Sequence, residues 1–129
     1  MESLTKAEIF VFSLDSAFHQ SLRDGHGHLL DAIEGQTSLR RANDTPEAMR
    51  LFDENCVPTG ILITDAEIIA PRNEALSRRL GDYVRNGGTL LLGGFFSSGV
   101  RPNDLGRYMR EKWNLPWAAG SYHRTTLYT

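Results

Sequence analysis

From Glu8 to Leu14 the chain reads Glu-Ile-Phe-Val-Phe-Ser-Leu, an almost unbroken apolar and β-favouring run. A run without polar alternation predicts a strand covered on both faces, as in a parallel sheet clothed by helices. Gly60-Ile61-Leu62-Ile63-Thr64-Asp65 and Thr89-Leu90-Leu91-Leu92 repeat that pattern and predict two more buried strands. Thr37 to Ala42 is half polar and predicts a weaker strand near an edge. Tyr122 to Tyr128 alternates and predicts a final strand.

Helical spacing fills the gaps between these runs. Asp15-Ser16 signals a turn or cap, and Ala17 to Arg23 predicts a short helix interrupted at Gly25 and Gly27. Leu29, Leu30 and Ile33 then carry helical spacing up to a stop at Gly35. Asn43-Asp44-Thr45-Pro46 starts the next helix, with Ala48, Met49, Leu51 and Phe52 on it. Pro71 opens a long amphipathic helix with Leu76, Leu80 and Val84 on its apolar stripe, closed by Asn86-Gly87-Gly88. Arg78, Arg79 and Arg85 fall on its wet side, partnered by Glu74 and Asp82, with Arg72 nearby. Gly93 to Pro102 reads as a glycine- and serine-rich loop, and Asn103 or Asp104 caps a helix running to about Trp113.

Strand and helix in alternation predict an α/β fold, an open and mostly parallel sheet with helices on both faces. About five strands in the flavodoxin-like order 2-1-3-4-5 would bring Asp15, Asp65 and the loop after Leu92 to the carboxyl edge of adjacent strands. Ligands of such sheets bind there.

The chain's 129 residues suit a single domain. Fourteen Lys and Arg against 16 Asp and Glu leave a net charge of −2 without a basic stripe, which argues against nucleic acid. No apolar run reaches the roughly 20 residues of a membrane-spanning helix. The opening Met-Glu-Ser-Leu-Thr-Lys lacks the apolar core of a secretory signal, so the expectation is a soluble cytoplasmic protein. The single cysteine, Cys56, excludes an internal disulfide and a cysteine-based metal site, and reads as a small, partly buried hydrophobe. The last predicted strand stops just before Thr129, which leaves two alternatives: a true sheet edge at Tyr128 or a fragment of a longer chain.

The stretch from Pro71 to Trp117 resembles the core of class I glutamine-amidotransferase-like domains, a superfamily that includes the ThuA-like trehalose-utilisation proteins and the trimerisation domain of certain β-galactosidases. The residues that carry the resemblance are Tyr83-Val84-x-Asn86-Gly87-Gly88 at a helix end, the apolar strand after it and the small-residue loop beyond, with Ile61 to Asp65 as the preceding strand. The resemblance implies an amidotransferase-like, flavodoxin-like fold. In catalytic members of this superfamily the strand matching Thr89 to Leu92 leads into a Gly-x-Cys-x-Gly elbow that lifts a thiol above backbone N–H groups. Here the segment is Gly93-Gly94-Phe95-Phe96-Ser97, so Phe95 stands in the nucleophile's slot. The family's late His-x-Glu pair is also missing after His123, and Cys56 precedes the third strand at the opposite end of the sheet. The resemblance therefore implies no glutaminase activity.

Several residues remain as candidates for chemistry. Ser97 and Ser98 lie in the loop where chemistry would occur, and His123 would approach from the last strand with Asp15 or Asp65 as the orienting carboxylate. Ser97 fits no Gly-x-Ser-x-Gly elbow, however, and serines after a strand end commonly cap turns. Asp24-Gly25-His26-Gly27-His28 places two imidazoles close together, with Asp31 beyond, as a weak candidate for a metal site. His19 and Asp65, the latter beside Glu67, would face a ligand at the carboxyl edge, as would Asp15, Phe95 and Ser97. No Gly-x-Gly-x-x-Gly follows the first strand, and no cofactor is expected. Phe95, Phe96, Trp113, Trp117, Tyr122 and Tyr128 suggest a partly exposed aromatic patch for a partner or for self-association into a homo-oligomer. Together these readings favour a non-catalytic module that binds a small molecule or a protein. The alternative is a small hydrolase built on Ser97 or Ser98, His123 and an aspartate, or on a metal held by His26 and His28.

Overall fold

The computed structural model describes residues 7–54 and 57–118. Within them four parallel strands, β1 (Glu8–Phe12), β2 (Ser38–Ala42), β3 (Gly60–Ile63) and β4 (Thr89–Leu92), form one sheet in the order β2-β1-β3-β4. The helices are α1 (His19–Gln36), α2 (Thr45–Asp53), α3 (Glu74–Arg85), the short α4 (Phe96–Gly99) and α5 (Pro102–Trp113). The architecture is α/β, as the alternation predicts. The fifth predicted strand, Tyr122 to Tyr128, lies outside the described residues, as does Cys56.

The apolar strands sort onto two faces by the twofold alternation of side chains. Phe10, Phe12, Ile61 and Ile63 point to a large cluster closed by Ala48 and Leu51 of α2 and Leu76, Leu80 and Tyr83 of α3. Val11 points the other way, to Leu22 and Leu30 of α1, with Ile9, Leu39, Leu62 and Phe95 around them. Strand β1 is thus covered on both faces, which explains its unbroken apolar run. Strand β2 is an edge, as its half-polar sequence predicts.

Five expectations need correction, the first being the loop over Gly93 to Pro102, inside which Phe96–Gly99 forms the short helix α4. The glycines at 25 and 27 do not interrupt the first helix, which runs unbroken for 18 residues and ends at Gln36 rather than Gly35. Glycine inside a helix costs about 1 kcal/mol against alanine, and burial of Leu22 and Leu30 against the sheet outweighs that cost. Strand β4 is not covered on both faces: Leu90 and Leu92 pack on the large cluster, but Leu91 is 60% exposed. Beside it a shallow apolar cavity of about 380 Å³ is lined by Ile9, Ile33, Leu62 and Leu91. Pro71 opens a 3-10 turn over Pro71–Asn73 and not the α-helix itself. The reason is Asn73, whose fully buried amide donates to the Glu67 carbonyl (2.7 Å) and accepts from the Thr45 hydroxyl, so that it joins two turns before α3 begins. Finally, α5 starts at Pro102, not at a side-chain cap from Asn103 or Asp104, because proline suits the first helical position.

Helix α3 ends as predicted, with Gly87 in the left-handed region (φ 99°) and the N–H groups of Gly87 and Gly88 returning to Val84 and Tyr83 carbonyls. On its wet side Arg78 pairs with Glu74 (3.3 Å) and Arg85 with Asp82 (3.2 Å). Arg79 reaches Asp53 of α2 (3.1 Å) and lies over the Phe52 ring, while Arg72 pairs with Glu67. Among the described residues no helix is long and apolar enough to cross a membrane.

Candidate functional site

The carboxyl ends of β1, β3 and β4 meet at one edge of the sheet, and the chain emerging from each carries predicted site residues. After β1, Asp15 accepts the Ala17 N–H (3.0 Å) and caps a 3-10 turn over Ser16–Phe18. His19 opens α1, and its Nε2 donates to the Ser13 carbonyl at 2.6 Å, which fixes the ring against the end of β1. After β3, the Thr64 hydroxyl lies 2.9 Å from that of Ser13, so two adjacent strand ends are tied by buried side chains.

Asp65 is the centre of this edge. Its side chain is buried, at 1% exposure, yet both oxygens are engaged by main chain. Oδ2 accepts the Asp15 N–H across a separation of 50 residues (3.2 Å), and Oδ1 accepts the Glu67 N–H at the start of the next 3-10 turn (3.1 Å). Burial pushes its pKa above the ordinary aspartate value, and the nearby Asp15 carboxylate adds to this. The N–H groups of Asp15 and Leu14 and the charge of His19 pull the other way. Asp65 therefore acts as a brace between the β1 and β3 loops, each of its oxygens accepting a backbone N–H.

After β4 the chain turns sharply, with Gly94 at φ 59° and Phe95 back in an ordinary conformation (φ −96°). The turn is sewn to β3: the Gly93 N–H donates to Ile63 (2.9 Å) and the Phe95 N–H to Thr64 (2.7 Å). A Cβ at position 94 would meet the Thr64 carbonyl oxygen at 3.0 Å. The left-handed residue of the turn is thus Gly94, one position before the slot that the sequence motif assigns to Phe95. The Phe95 ring stacks on Phe18 at 5.2 Å, and His26 meets it edge-on at 5.4 Å. This aromatic trio joins the loop after β4 to the underside of α1.

The remaining candidates are dispersed. Ser97 and Ser98 sit exposed on α4, and His123 lies outside the described residues. His26 and His28, two positions apart on a continuous helix, project about 160° apart and cannot share one ion. Among the described residues no group of three or more His, Cys, Asp or Glu is placed to hold a metal. Of the expected aromatic patch, Phe96 is buried, Phe95 and Trp113 are half-buried and Trp117 is exposed. Tyr122 and Tyr128 lie outside the described residues.

One polar pair escapes a reading by sequence. Ser77 Oγ and Tyr108 OH lie 3.0 Å apart and buried between α3 and α5, and Ser77 also donates to the Ile68 carbonyl (3.3 Å). Burial raises the Tyr108 pKa, which the Ser77 contact opposes. A serine beside Leu76 on the otherwise apolar stripe of α3 was the available signal. Comparison of the chain with family models, curated proteins and solved structures returned no match.

Proposed function

We propose that this chain is a non-catalytic domain of the amidotransferase-like, flavodoxin-like kind, working by small-molecule binding or protein assembly and without glutaminase activity. The observation that carries the reading is the turn after β4. An elbow nucleophile sits on a strained strand-to-helix turn so that its reactive atom stands clear of the sheet. In this chain the left-handed position of that turn is a glycine pressed against Thr64, and the next side chain is a phenylalanine stacked on Phe18. Neither supplies a nucleophile. Asp65, the buried carboxylate at this edge, accepts the backbone N–H groups of Asp15 and Glu67, which supports a structural role for it. The strand order β2-β1-β3-β4 agrees with the flavodoxin-like arrangement as far as the described residues extend.

The experiment is a turnover assay with glutamine and simple esters, run beside a thermal-shift panel of small acids, sugars, amides and divalent metals and a measurement of oligomeric state. The expected result is no turnover, with either a saturable thermal shift or a defined oligomer. A ligand at a hundred times its dissociation constant adds about 2.7 kcal/mol, several degrees for a domain of this size. Ester or amide turnover abolished by Ser97→Ala or Ser98→Ala would refute the reading in favour of a hydrolase.

A further inference from the structure

Helix α1 carries Gly25 and Gly27 in its interior, and nothing lies within 4 Å of a Cβ built at either position. Packing therefore gives no reason for two residues that each weaken the helix relative to alanine. Gly27 lines a surface cavity of about 400 Å³ together with Arg23, His28 and Asp31 of α1 and Arg41 of the edge strand β2. The arginines elsewhere on this domain are often spent on ion pairs, as Arg40 is on Glu54 (2.9 Å) and Arg79 on Asp53 (3.1 Å). Arg23 and Arg41 have no ion-pair or hydrogen-bond partner for their side chains among the described residues. Of the two carboxylates at the cavity, Asp24 accepts from the Gln20 amide (2.8 Å), and Asp31 has no partner.

Two guanidinium forks on different elements, neither paired among the described residues and both lining one cavity, supply the kind of donors that a carboxylate or phosphate takes. Asp31 beside them repels a bare anion and accepts a hydrogen bond from one that also carries a donor. A glycine at 27 lets the body of such a ligand lie against helix backbone. We propose that this cavity binds a small oxyanion that carries its own hydroxyl, a phosphate or a hydroxy-carboxylate, held by Arg23 and Arg41 with its hydroxyl donated to Asp31. The proposal rests on reading the domain as a binding module and names the site and chemical class that the module would use.

The test is a titration of the ¹⁵N-labelled full chain with inorganic phosphate at constant ionic strength, followed through amide chemical shifts, with sulfate as the anion that lacks a donor at neutral pH. Saturable shifts at residues 23–31 and 39–42, stronger with phosphate than with sulfate, are expected. Arg41→Gln lowers the affinity about tenfold, the share of one charge-assisted contact. Gly27→Ala raises the melting temperature by a degree or more, as helix propensity requires, and still weakens phosphate binding, which a purely structural glycine would not do. Shifts that never saturate, that survive Arg41→Gln, or that are as strong with sulfate overturn the proposal. Saturable shifts confined to the edge around Asp65 and Phe95 also overturn it, yet leave the binding-module reading in place.

Discussion

The brace at Asp65 makes a prediction about both size and pH dependence. Replacing Asp65 with asparagine keeps the shape but exchanges one acceptor oxygen for an NH₂ group. The N–H groups of Asp15 and Glu67 each point at a different carboxylate oxygen, so one of them faces a donor in the variant. A buried polar group left unpaired costs about 1–3 kcal/mol, and that is the expected loss for Asp65→Asn. Asp65→Ala removes both acceptors and the cap of the following turn, for about 3 kcal/mol or more. The pH dependence has a definite sign. Because burial holds the native pKa above the unfolded value of about 3.9, the native state binds more protons in that window. Stability contributed by this group is full below the unfolded pKa and declines as pH rises through the native pKa. The destabilisation of Asp65→Asn, taken as variant minus parent, is therefore larger at pH 4 than at pH 7. Glu54 and Glu74, whose pKa values are lowered by Arg40 and Lys112, stabilise in the opposite direction, above the unfolded value. They are present in both proteins, and the difference removes them. Urea unfolding followed by circular dichroism, with matched m-values, measures both quantities. A change below 0.5 kcal/mol, or one of equal size at pH 4 and pH 7, would refute the idea that Asp65 is a buried brace.

Two further expectations test the packing around the site. Gly94→Ala places a Cβ 3.0 Å from the Thr64 carbonyl in a left-handed conformation that itself costs about 1–2 kcal/mol, so the variant should lose at least about 2 kcal/mol in the same denaturant assay. Between α3 and α5, Ser77→Ala strands a buried Tyr108 hydroxyl and should cost about 1–3 kcal/mol. Tyr108→Phe leaves Ser77 its Ile68 acceptor and should cost about 1 kcal/mol, and the double variant should lose less than the sum of the two.

What could be read from the sequence followed how locally each feature is determined. Strand β1 was legible because a strand covered on both faces writes that burial into consecutive residues. The Leu90-Leu91-Leu92 run of β4 looks the same, but Leu91, on the face that α1 covers, lies beside a shallow cavity lined by Ile33 of α1 and stays 60% exposed. Composition records what a strand tolerates, not what covers it. Gly25 and Gly27 predict a break in α1 because propensity counts only local cost, whereas the buried Leu22 and Leu30 stabilise its continuity through contact with the sheet. The sequence places Asp65 just past a strand end, as the structure does, but its bracing role is not legible there because one of its partners, the Asp15 N–H, is 50 residues away in sequence. Asn73 and the Ser77–Tyr108 pair were missed for the same reason.

The position of the unspent polar groups bears on where this domain would act. In an open parallel sheet the crevice at the carboxyl edge is the default ligand site, because strand ends leave main-chain groups and diverging loops there. In this chain that edge consumes its own polarity. Asp65 is bound by backbone, His19 donates to Ser13, and Thr64 is joined to Ser13. The Phe18 and Phe95 rings then stack where the loops diverge. Each of these contacts stabilises the fold, and each removes a donor or acceptor that a ligand would need. Arg23 and Asp31 of α1 and Arg41 of the edge strand β2 retain theirs among the described residues. The contacts at the carboxyl edge hold the strand ends and loops together, whereas Arg23, Arg41 and Asp31 make no side-chain hydrogen bond or ion pair among the described residues. On that difference, variants of the carboxyl edge should change stability more than binding, and variants of the α1 cavity should change binding more than stability.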